Sequence, residues 1–572
     1  MSNIGNKKDI FTNIHKRRVI IELQTPLHIG TGEYSELTDA PVIRDWNGLP
    51  YIPSSSLTGA ISSLCAAHPE LLSMAGHASQ NYQDLLLCLF GGKISSTSNK
   101  EVPIGAQLFF SDALLLWPGY RVYDSLLDPS ELTSDQLKFY KRFQYLPIRD
   151  YVKINDRGVA EQGQKFDQEV VQKGSRFVFD VTLESLHTTQ VKSPPAVSKR
   201  QNEKLECLDR SIGSSHQLDE VLHLIAHPDY RLGAKETNGF GQITISDCYI
   251  CHFDLTNDHL LQQYINWQNR FSRNDDILDI PYGNNEPTVW QSHDYLVNAT
   301  PSWDLLKEHS FDKAYELQIQ SEEQMRIISS VDQDMATYQL ADTLIYRTQI
   351  DNLWFLHFGA GYGDEEVDDA VKQEEVILWD DHYRVNFTNH YLIPFSSIRG
   401  VIYHRMQYYY QLICPPIVKS DQGNTSRMIS KEEFFQSFFG RAKDERVAAA
   451  GANDGEEGLI SRFYGQDNYV LANDNAKKKQ NDQTRIFMHN QLDRFTQAPT
   501  DGALFSERTL RLDQLRLWMM LRDYNPHDDV DQHFVKLLSY VLADIQAGRL
   551  PIGGKVNRGH GISMTDLIPN TK

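Results

Sequence analysis

The sequence predicts an α+β protein in which one folding unit is laid down twice. Three observations carry that expectation. Five short motifs recur in the same order in both halves of the chain, each half opens with an apolar β-run followed by a turn and a serine-rich helix start, and a polar stretch with Pro and Gly separates the halves. The length agrees, because 572 residues exceed what one hydrophobic core normally serves and point to two large domains. Hydrophobic residues at 40% and charged residues at 23% are the balance of a chain that buries a core.

The first landmark is the strand Val19-Ile-Ile-Glu-Leu23 followed by Thr25-Pro-Leu-His28-Ile-Gly30-Thr-Gly32, echoed by Trp354-Phe-Leu-His357-Phe-Gly359-Ala-Gly361. The second is Tyr51-Ile-Pro53-Ser-Ser-Ser56-Leu-Thr-Gly59-Ala-Ile61 against Leu392-Ile-Pro394-Phe-Ser-Ser397-Ile-Arg-Gly400-Val-Ile402. It predicts helices capped by Ser55 or Ser56 and by Ser396 or Ser397. Leu89-Phe90-Gly91-Gly92 then matches Phe438-Phe439-Gly440-Arg441, and Asn155-Asp156-Arg157, with Phe166 and Glu169 downstream, matches Leu492-Asp493-Arg494, with Phe505 and Glu507 downstream. The last pair is Gly233-Ala-Lys235-Glu-Thr-Asn-Gly239-Phe-Gly241 and Gly553-Gly554-Lys555-Val-Asn-Arg558-Gly559-His-Gly561. The offsets stay between 320 and 349 residues, as a tandem duplication requires. The expected units are residues 1–254 and 311–572. A linker over 255–310 contains Asp279-Ile-Pro-Tyr-Gly283-Asn-Asn-Glu-Pro287.

A net charge of −20 excludes a protein that coats nucleic acid over its whole surface, but leaves room for a local basic groove. Lys138, Lys141, Arg142, Arg149 and Lys153 interleave with Phe139, Tyr140, Phe143, Tyr145 and Tyr151, setting cations beside rings that could stack on bases. An amphipathic helix running into a strand explains the same pattern and is preferred on this patch alone. No apolar run reads as a signal peptide or a bilayer span, so a cytoplasmic protein without membrane contact is expected. Six cysteines in so long a chain fit a reducing compartment. Cys248, Cys251 and His252 spell a haem-attachment pattern that reads as chance without export, and a zinc site would need two further ligands. Lys477-Lys-Lys479 reads as a solvated loop insertion.

The glycine-rich segments would let backbone N–H groups approach an anion, with Lys235, Lys555 and Arg558 adding positive charge. Neither has the order of a P-loop, and a tight turn between strands explains each one equally well. Hydroxyls and free N–H groups at a helix N-terminus would favour phosphate. Taken alone, the serine segments are N-caps.

Taken together, Leu27-His28-Ile-Gly30-Thr-Gly32 and Asp39-Ala-Pro41-Val-Ile-Arg44-Asp45-Trp-Asn-Gly48-Leu-Pro50-Tyr-Ile-Pro53-Ser-Ser-Ser-Leu-Thr-Gly59 resemble the N-terminal signature of the RAMP proteins that form the backbone of type III CRISPR effectors. Phe109-Phe-Ser-Asp112-Ala, the Lys153–Glu169 stretch and the closing Gly-Phe-Gly loop are similar to that family in the same order. The first half is covered almost end to end, and the second more loosely, with insertions. The resemblance implies two modified ferredoxin-like (RRM-type) modules, each with a thumb hairpin, over Lys153–Glu169 and near Asp493–Glu507. It implies partners as well: a CRISPR guide RNA, a single-stranded target RNA and other effector subunits. Fusion of two backbone units suggests the III-D branch. RNA contacts implied on the matching positions are Ser54, Ser55, Ser56, Thr58, Lys153, Arg157, Arg231 and Lys235 in the first module, and Ser396, Ser397, Arg399, Arg494, Lys555 and Arg558 in the second. Sequence specificity would come from base pairing with the guide.

Family members that cleave use an aspartate just before Pro-Val-Ile, the place of Asp39 here. A carboxylate there could hold a divalent ion, Mg2+, or help remove the 2′-OH proton of a splayed nucleotide, giving metal-dependent transesterification. By itself Asp39 reads as a turn residue before a proline, and without the surrounding match that reading is preferred. In the second module, counting from His357 selects Asp368, with Asp369 beside it, whereas counting back from Val376-Ile377 selects Glu374. A run this acidic also reads as a solvated, non-cutting loop, because it repels phosphate unless a metal or lysine offsets it. His28 and His357 are expected to pack and hydrogen-bond rather than act as acid or base. Two alternatives stay open: a guide-binding scaffold that does not cut, and a stand-alone guide-processing nuclease of the related RAMP branch.

Overall fold

The computed structural model describes residues 12–33, 35, 38–67, 82–95, 101–154, 160–185, 215–227, 229–266, 291–292, 325–330, 335–340, 343–380, 382–413, 418–420, 426–441, 459–472, 483–490, 492–498, 500 and 502–563. In the first module the strand Asn13–Leu23 lies between Ile243–Asp254 and Arg176–Ser185, antiparallel to both. Leu108–Phe110 and Leu114–Leu115 pair with the far edge of Arg176–Ser185. Numbered by their order in the chain, the four strands stand side by side as 4-1-3-2, with helices Ser54–Ala67 and Ser215–His223 following the first and third.

Both faces of this sheet are covered. Val19, Ile21 and Leu23 join Phe177, Phe179, Val181, Leu57 and Ile61 in the main core. Ile20 and Val178, pointing the other way, pack with Leu116, Tyr120 and Val122. Burial on two sides is why Val19-Ile-Ile is continuously apolar instead of alternating with polar residues. The same alternation separates Cys248 and Cys251 into different clusters, so the two buried free thiols cannot share one metal ion.

The second module repeats the order. Thr343–Leu356 lies between Phe505–Leu521 and Ile562–Ser563, and Phe463–Gly465 borders the third strand. Helices Phe395–Ile413 and Asp529–Gln546 follow the first and third strands. The last strand is only two residues long, and the rest of that edge is taken by Met335–Leu340, itself paired with Met325–Ser330. A separate core, with Ile398, Ile402, Phe434, Phe534 and Leu538 at its centre, fills this half.

The expected linker is more than a connection. Helix Asp258–Asn266 packs on the first module's last strand, Tyr264 meeting Phe253 at 5.5 Å, and Gln291–Ser292 pair with that same strand. The Asp279–Pro287 segment lies outside the described residues, as do Lys477–Lys479.

The modules are packed against each other. A three-stranded sheet of Gln373–Trp379, Val385–Ile393 and Asn468–Leu471 extends from the second module onto the first, where Ile377 enters the first core. Ile377 N–H donates to Lys173 O at 3.0 Å and Trp379 Nε1 to Gly174 O at 2.7 Å. Gly174 has φ +85°, and a Cβ there would stand 1.9 Å from Ile377 O, so only glycine allows this approach. Among the described residues no helix is long and apolar enough to cross a membrane.

One stability prediction arises from the cross-strand pair His15 and His252, stacked at 4.5 Å. Burial, then the charges of His252 and Arg17, push His15 down from 6.5 to about 4. The unfolded chain therefore takes up a proton that the folded one refuses. Stability is full above pH 6.5 and is lost as pH falls towards 4, by up to about 3 kcal/mol for this group. Chemical denaturation at pH 7 and pH 5 should show the loss, and His15→Phe, which keeps the stack, should flatten it. An equally steep profile in the variant would refute the assignment.

Candidate functional site

Each module builds the same arrangement from four pieces of chain. The first is a hairpin, Ile148–Ile154 with Ala160–Glu169, whose paired residues Tyr151 and Phe166 stack at 5.0 Å. In the second module the hairpin is Thr484–His489 with the first part of Phe505–Leu521, and His489 stacks on Phe505, also at 5.0 Å. The expected span of Asp493 to Glu507 is thus corrected: the first strand begins at Thr484, and Asp493 and Arg494 sit in the exposed connecting loop. There the Asp493 carboxylate accepts the N–H groups of Phe495 and Thr496 at 3.0 and 2.7 Å. Phe495 beside it is 93% exposed, a ring held out at the tip. Arg157 lies outside the described residues. Lys153 is on the strand Ile148–Ile154.

The histidine after each opening strand ties it to the hairpin. His28 Nδ1 meets Glu169 O at 2.8 Å and His357 Nδ1 meets Arg508 O at 2.9 Å, both rings being buried. Their own carbonyls accept the N–H groups of Ala234 and Gly554 in the glycine loops, at 2.8 and 2.7 Å. Lys235 and Lys555 take the left-handed conformation, φ 62° and 56°, ahead of one 3-10 turn. This carries Lys235 Nζ to 4.3 Å from the Phe166 ring centre and Lys555 Nζ to 5.7 Å from that of Phe505. Burial lowers the Lys235 pKa.

Both loops close on glycines with no room for a side chain. A Cβ on Gly241 (φ +78°) would stand 1.9 Å from Leu232 O, and one on Gly561 (φ +73°) 1.8 Å from Ile552 O. Gly561→Ala is therefore expected to destabilise the protein by at least about 2 kcal/mol, through strain and overlap together. Denaturant unfolding checks it, and a change within about 0.5 kcal/mol would mean that the loop is not built this way.

The candidate acids are seated against the hairpin. Asp39 is exposed. Its N–H donates to Asp167 Oδ1 at 2.9 Å, while Asp167 N–H donates to Asp39 Oδ2 at 3.0 Å. The Asp39 N–H and the Thr38 hydroxyl hold the Asp167 carboxyl below its usual range. In the second module Asp368 takes this seat: its N–H donates to Ser506 Oγ at 3.0 Å, and Ser506 N–H donates to Asp368 Oδ2 at 2.7 Å. Those Ser506 bonds lower the Asp368 pKa. The bridges Ala40 to Gln168 and Asp369 to Glu507 have the same parallel register, so Asp368 corresponds to Asp39, and Asp369 to Ala40.

The other two acids weighed in this loop face elsewhere. Asp369 is ion-paired with Lys555 and lies 3.4 Å from His357 Nε2. Glu374 is buried in the module junction, where Arg149 grips it at 2.5 and 2.7 Å. Arg508 binds Asp364 and, at 2.6 Å, Glu366, which offsets part of the acidic run.

The residues expected to contact RNA lie in several different settings. Helix Ser54–Ala67 starts earlier than its serines suggest, and the Ser54 N–H already donates to Asp112 at 2.7 Å. In the second module Phe395 N–H donates to Asp467 at 2.7 Å. A carboxylate, not a serine, caps each helix and opposes phosphate at that N–H. Ser55 is exposed, Ser54, Ser56 and Thr58 are half-buried, and Thr58 donates to Ser54 O. Ser54, Ser55, Thr58, Phe90 and Phe109 line an open cleft of about 790 Å³. Ser396 is half-buried and Ser397 exposed. Arg399 turns inward to Phe439 O and Ser461 Oγ, at 2.7 and 3.2 Å, and burial brings it down to about 10. Arg231 is buried near the junction, donates to Tyr230 O, and is also brought down to about 10 by burial. Arg142 and Arg149, from the basic aromatic patch, bind Glu375 and Glu374 of the second module. These two arginines of the patch hold the modules together, whereas Tyr151 stacks on Phe166 beneath Lys235.

Asp167 was not singled out by the sequence reading, although it lies between Phe166 and Glu169. Only the pairing of two distant segments shows that it meets Asp39. Among the described residues no group of three or more His, Cys, Asp or Glu could hold a metal ion. Magnesium asks for less, commonly one or two carboxylates completed by water and substrate phosphate. Asp39, which is exposed, and Asp167, which is half-buried and held below its usual range, offer the two carboxylates such a site asks for, and Asp368 with the Ser506 hydroxyl is a weaker version.

The profile described as RAMP superfamily matches residues 20–244 and again 355–563. The protein named CRISPR system Cms endoribonuclease Csm3, from Enterococcus italicus, is 32% identical over 123 residues, which cover 21% of this chain and 53% of that relative. The match thus spans about half of the relative's length.

Proposed function

The chain belongs to the RAMP superfamily, twice over, and from that premise we propose that it is a two-module backbone subunit of a type III CRISPR effector complex, acting in the cytoplasm. It lies along a guide RNA beside other effector subunits, and its first module cuts the paired target RNA at Asp39. The strand order 4-1-3-2 with helices after the first and third strands supports reading each module as a modified ferredoxin-like, RRM-type unit.

The observation that carries the proposal is the repeated seat: an exposed aspartate hydrogen-bonded to the hairpin strand, in a module whose hairpin bears a stacked aromatic pair under a glycine-loop lysine. The hairpin would splay one target nucleotide out of the helix, freeing its 2′-OH for in-line attack on the adjacent phosphate; the new P–O2′ bond forms as the P–O5′ bond breaks, leaving a 2′,3′-cyclic phosphate and a 5′-oxygen that takes its proton from water. Asp39 would orient that hydroxyl and take its proton. Lys235 would hold a backbone phosphate without reading sequence. Asp39 and Asp167 would hold Mg2+, which when bound offsets charge at the reacting phosphate. Asp368 repeats the position of Asp39 with a single carboxylate, so cutting by the second module is expected to be the weaker.

The test is target cleavage by assembled complexes carrying Asp39→Asn. Loss of one cut position with the others kept supports the proposal, and an unchanged pattern would leave the chain a guide-binding scaffold.

A further inference from the structure

The two copies differ in charge around the glycine-loop lysine. Around Lys235 the equivalent positions hold Ala40, Gln168, Asn238 and Phe240, and around Lys555 they hold Asp369, Glu507, Arg558 and His560. Among the described residues no carboxylate lies within ion-pairing distance of Lys235, whose ammonium rests over Phe166 and Tyr151, at 4.3 and 5.3 Å from the ring centres. Lys555 is engaged twice, by Asp369 and by Glu507, the latter at 2.6 Å. Glu507 is fully buried and also takes Arg558 at 3.0 Å and His489 at 2.8 Å. A cation held by two carboxylates, one of them fully buried, has less charge left for an outside anion.

We infer that Asp369 and Glu507 act as an internal substitute for phosphate, withholding Lys555 and Arg558 from RNA, so that the chain grips the RNA backbone through the glycine loop of the first module and only weakly through that of the second. The inference rests on the RNA-binding reading above and adds to it which loop is engaged and which two residues decide this. It reassigns Asp369 from a candidate catalytic acid to a specificity-determining one.

The test uses the full chain and a fluorescein-labelled 20-nucleotide oligouridylate, with affinity followed against salt. Each phosphate contact on a single strand adds about 0.7 to the slope of log affinity on log salt. The variant D369A/E507Q installs the residues that the first module carries at these positions. It should steepen the slope by about 0.7 to 1.4 as Lys555 and Arg558 are released, and adding Lys555→Gln should remove part of that gain. The reciprocal variant A40D/Q168E builds the carboxylates around Lys235 and should flatten the slope by about 0.7, which keeps the test decisive if the first variant does not fold. Unchanged slopes in the folded variants, or an equal loss from Lys235→Gln and Lys555→Gln in the otherwise native chain, would overturn the inference while leaving RNA binding intact. If the native chain shows no affinity for the oligouridylate, the RNA reading itself falls and takes this inference with it.

Discussion

In assembled complexes, Asp39→Asn should slow cutting at one target position by at least about a hundredfold, the usual contribution of a positioned acid or base, while guide binding and assembly stay as they are. Asparagine is the informative replacement because its carbonyl oxygen can still accept the Asp167 N–H bond that Asp39 Oδ2 now accepts at 3.0 Å. The seat survives and only the charge is lost. Asp39→Ala removes both, so a larger effect of Ala than of Asn on assembly would separate scaffolding from chemistry. Asp167→Asn should lower activity less at high Mg2+ than at low Mg2+, since it removes one of two carboxylates that would hold the cation. Mapping cut positions on a complementary target, with Asp368→Asn in parallel, reads all of these together. If cutting continues at every position with Asp39→Asn, the chemistry lies outside this loop.

Arg149→Met should cost about 3–5 kcal/mol of stability, the range for breaking a buried ion pair from one side. Arg149 is 3% exposed and faces Glu374 at 8% and Asp467 at 1%. It also donates to Tyr469 Oη at 2.9 Å and lies over the Phe240 ring. Removing it strands two carboxylates in an interior that cannot solvate them. The damage spreads, because Asp467 also accepts the Phe395 N–H at the start of the long helix Phe395–Ile413. Adding Glu374→Gln should restore part of the loss, since one uncompensated charge is then gone. Urea unfolding monitored by tryptophan fluorescence checks both variants. A cost below about 1 kcal/mol, the worth of an exposed pair, would mean that the two modules do not hold this junction in solution.

The repeat was legible in the sequence because it rests on local constraints. Gly241 and Gly561 recur since no side chain fits beside the carbonyls of Leu232 and Ile552. His28 and His357 recur since each must reach a hairpin carbonyl. The likeness of the Asp39 loop to one family was legible for the same reason: a short contiguous segment carries it. Charged residues were harder to place. Arg142 and Arg149 stand among aromatics in the chain, as a nucleic-acid patch would, yet their partners Glu375 and Glu374 arrive from more than two hundred residues away. Counting along the second acidic loop left Asp368 and Glu374 in competition. The pairing of Asp369 with Glu507 settles their register, seating Asp368 on the hairpin and sending Glu374 into the junction.

The sequence by itself determined the duplication, the mixed α+β character of each copy, and the loops whose glycines tolerate no substitute, because backbone conformation and strand periodicity are properties of neighbouring residues. Only the tertiary structure decided which carboxylates stay exposed and which are consumed by Lys555, Arg149 or Arg508. Coulomb attraction and desolvation depend on separation in space and on access to water, and neither quantity is written in the order of the residues.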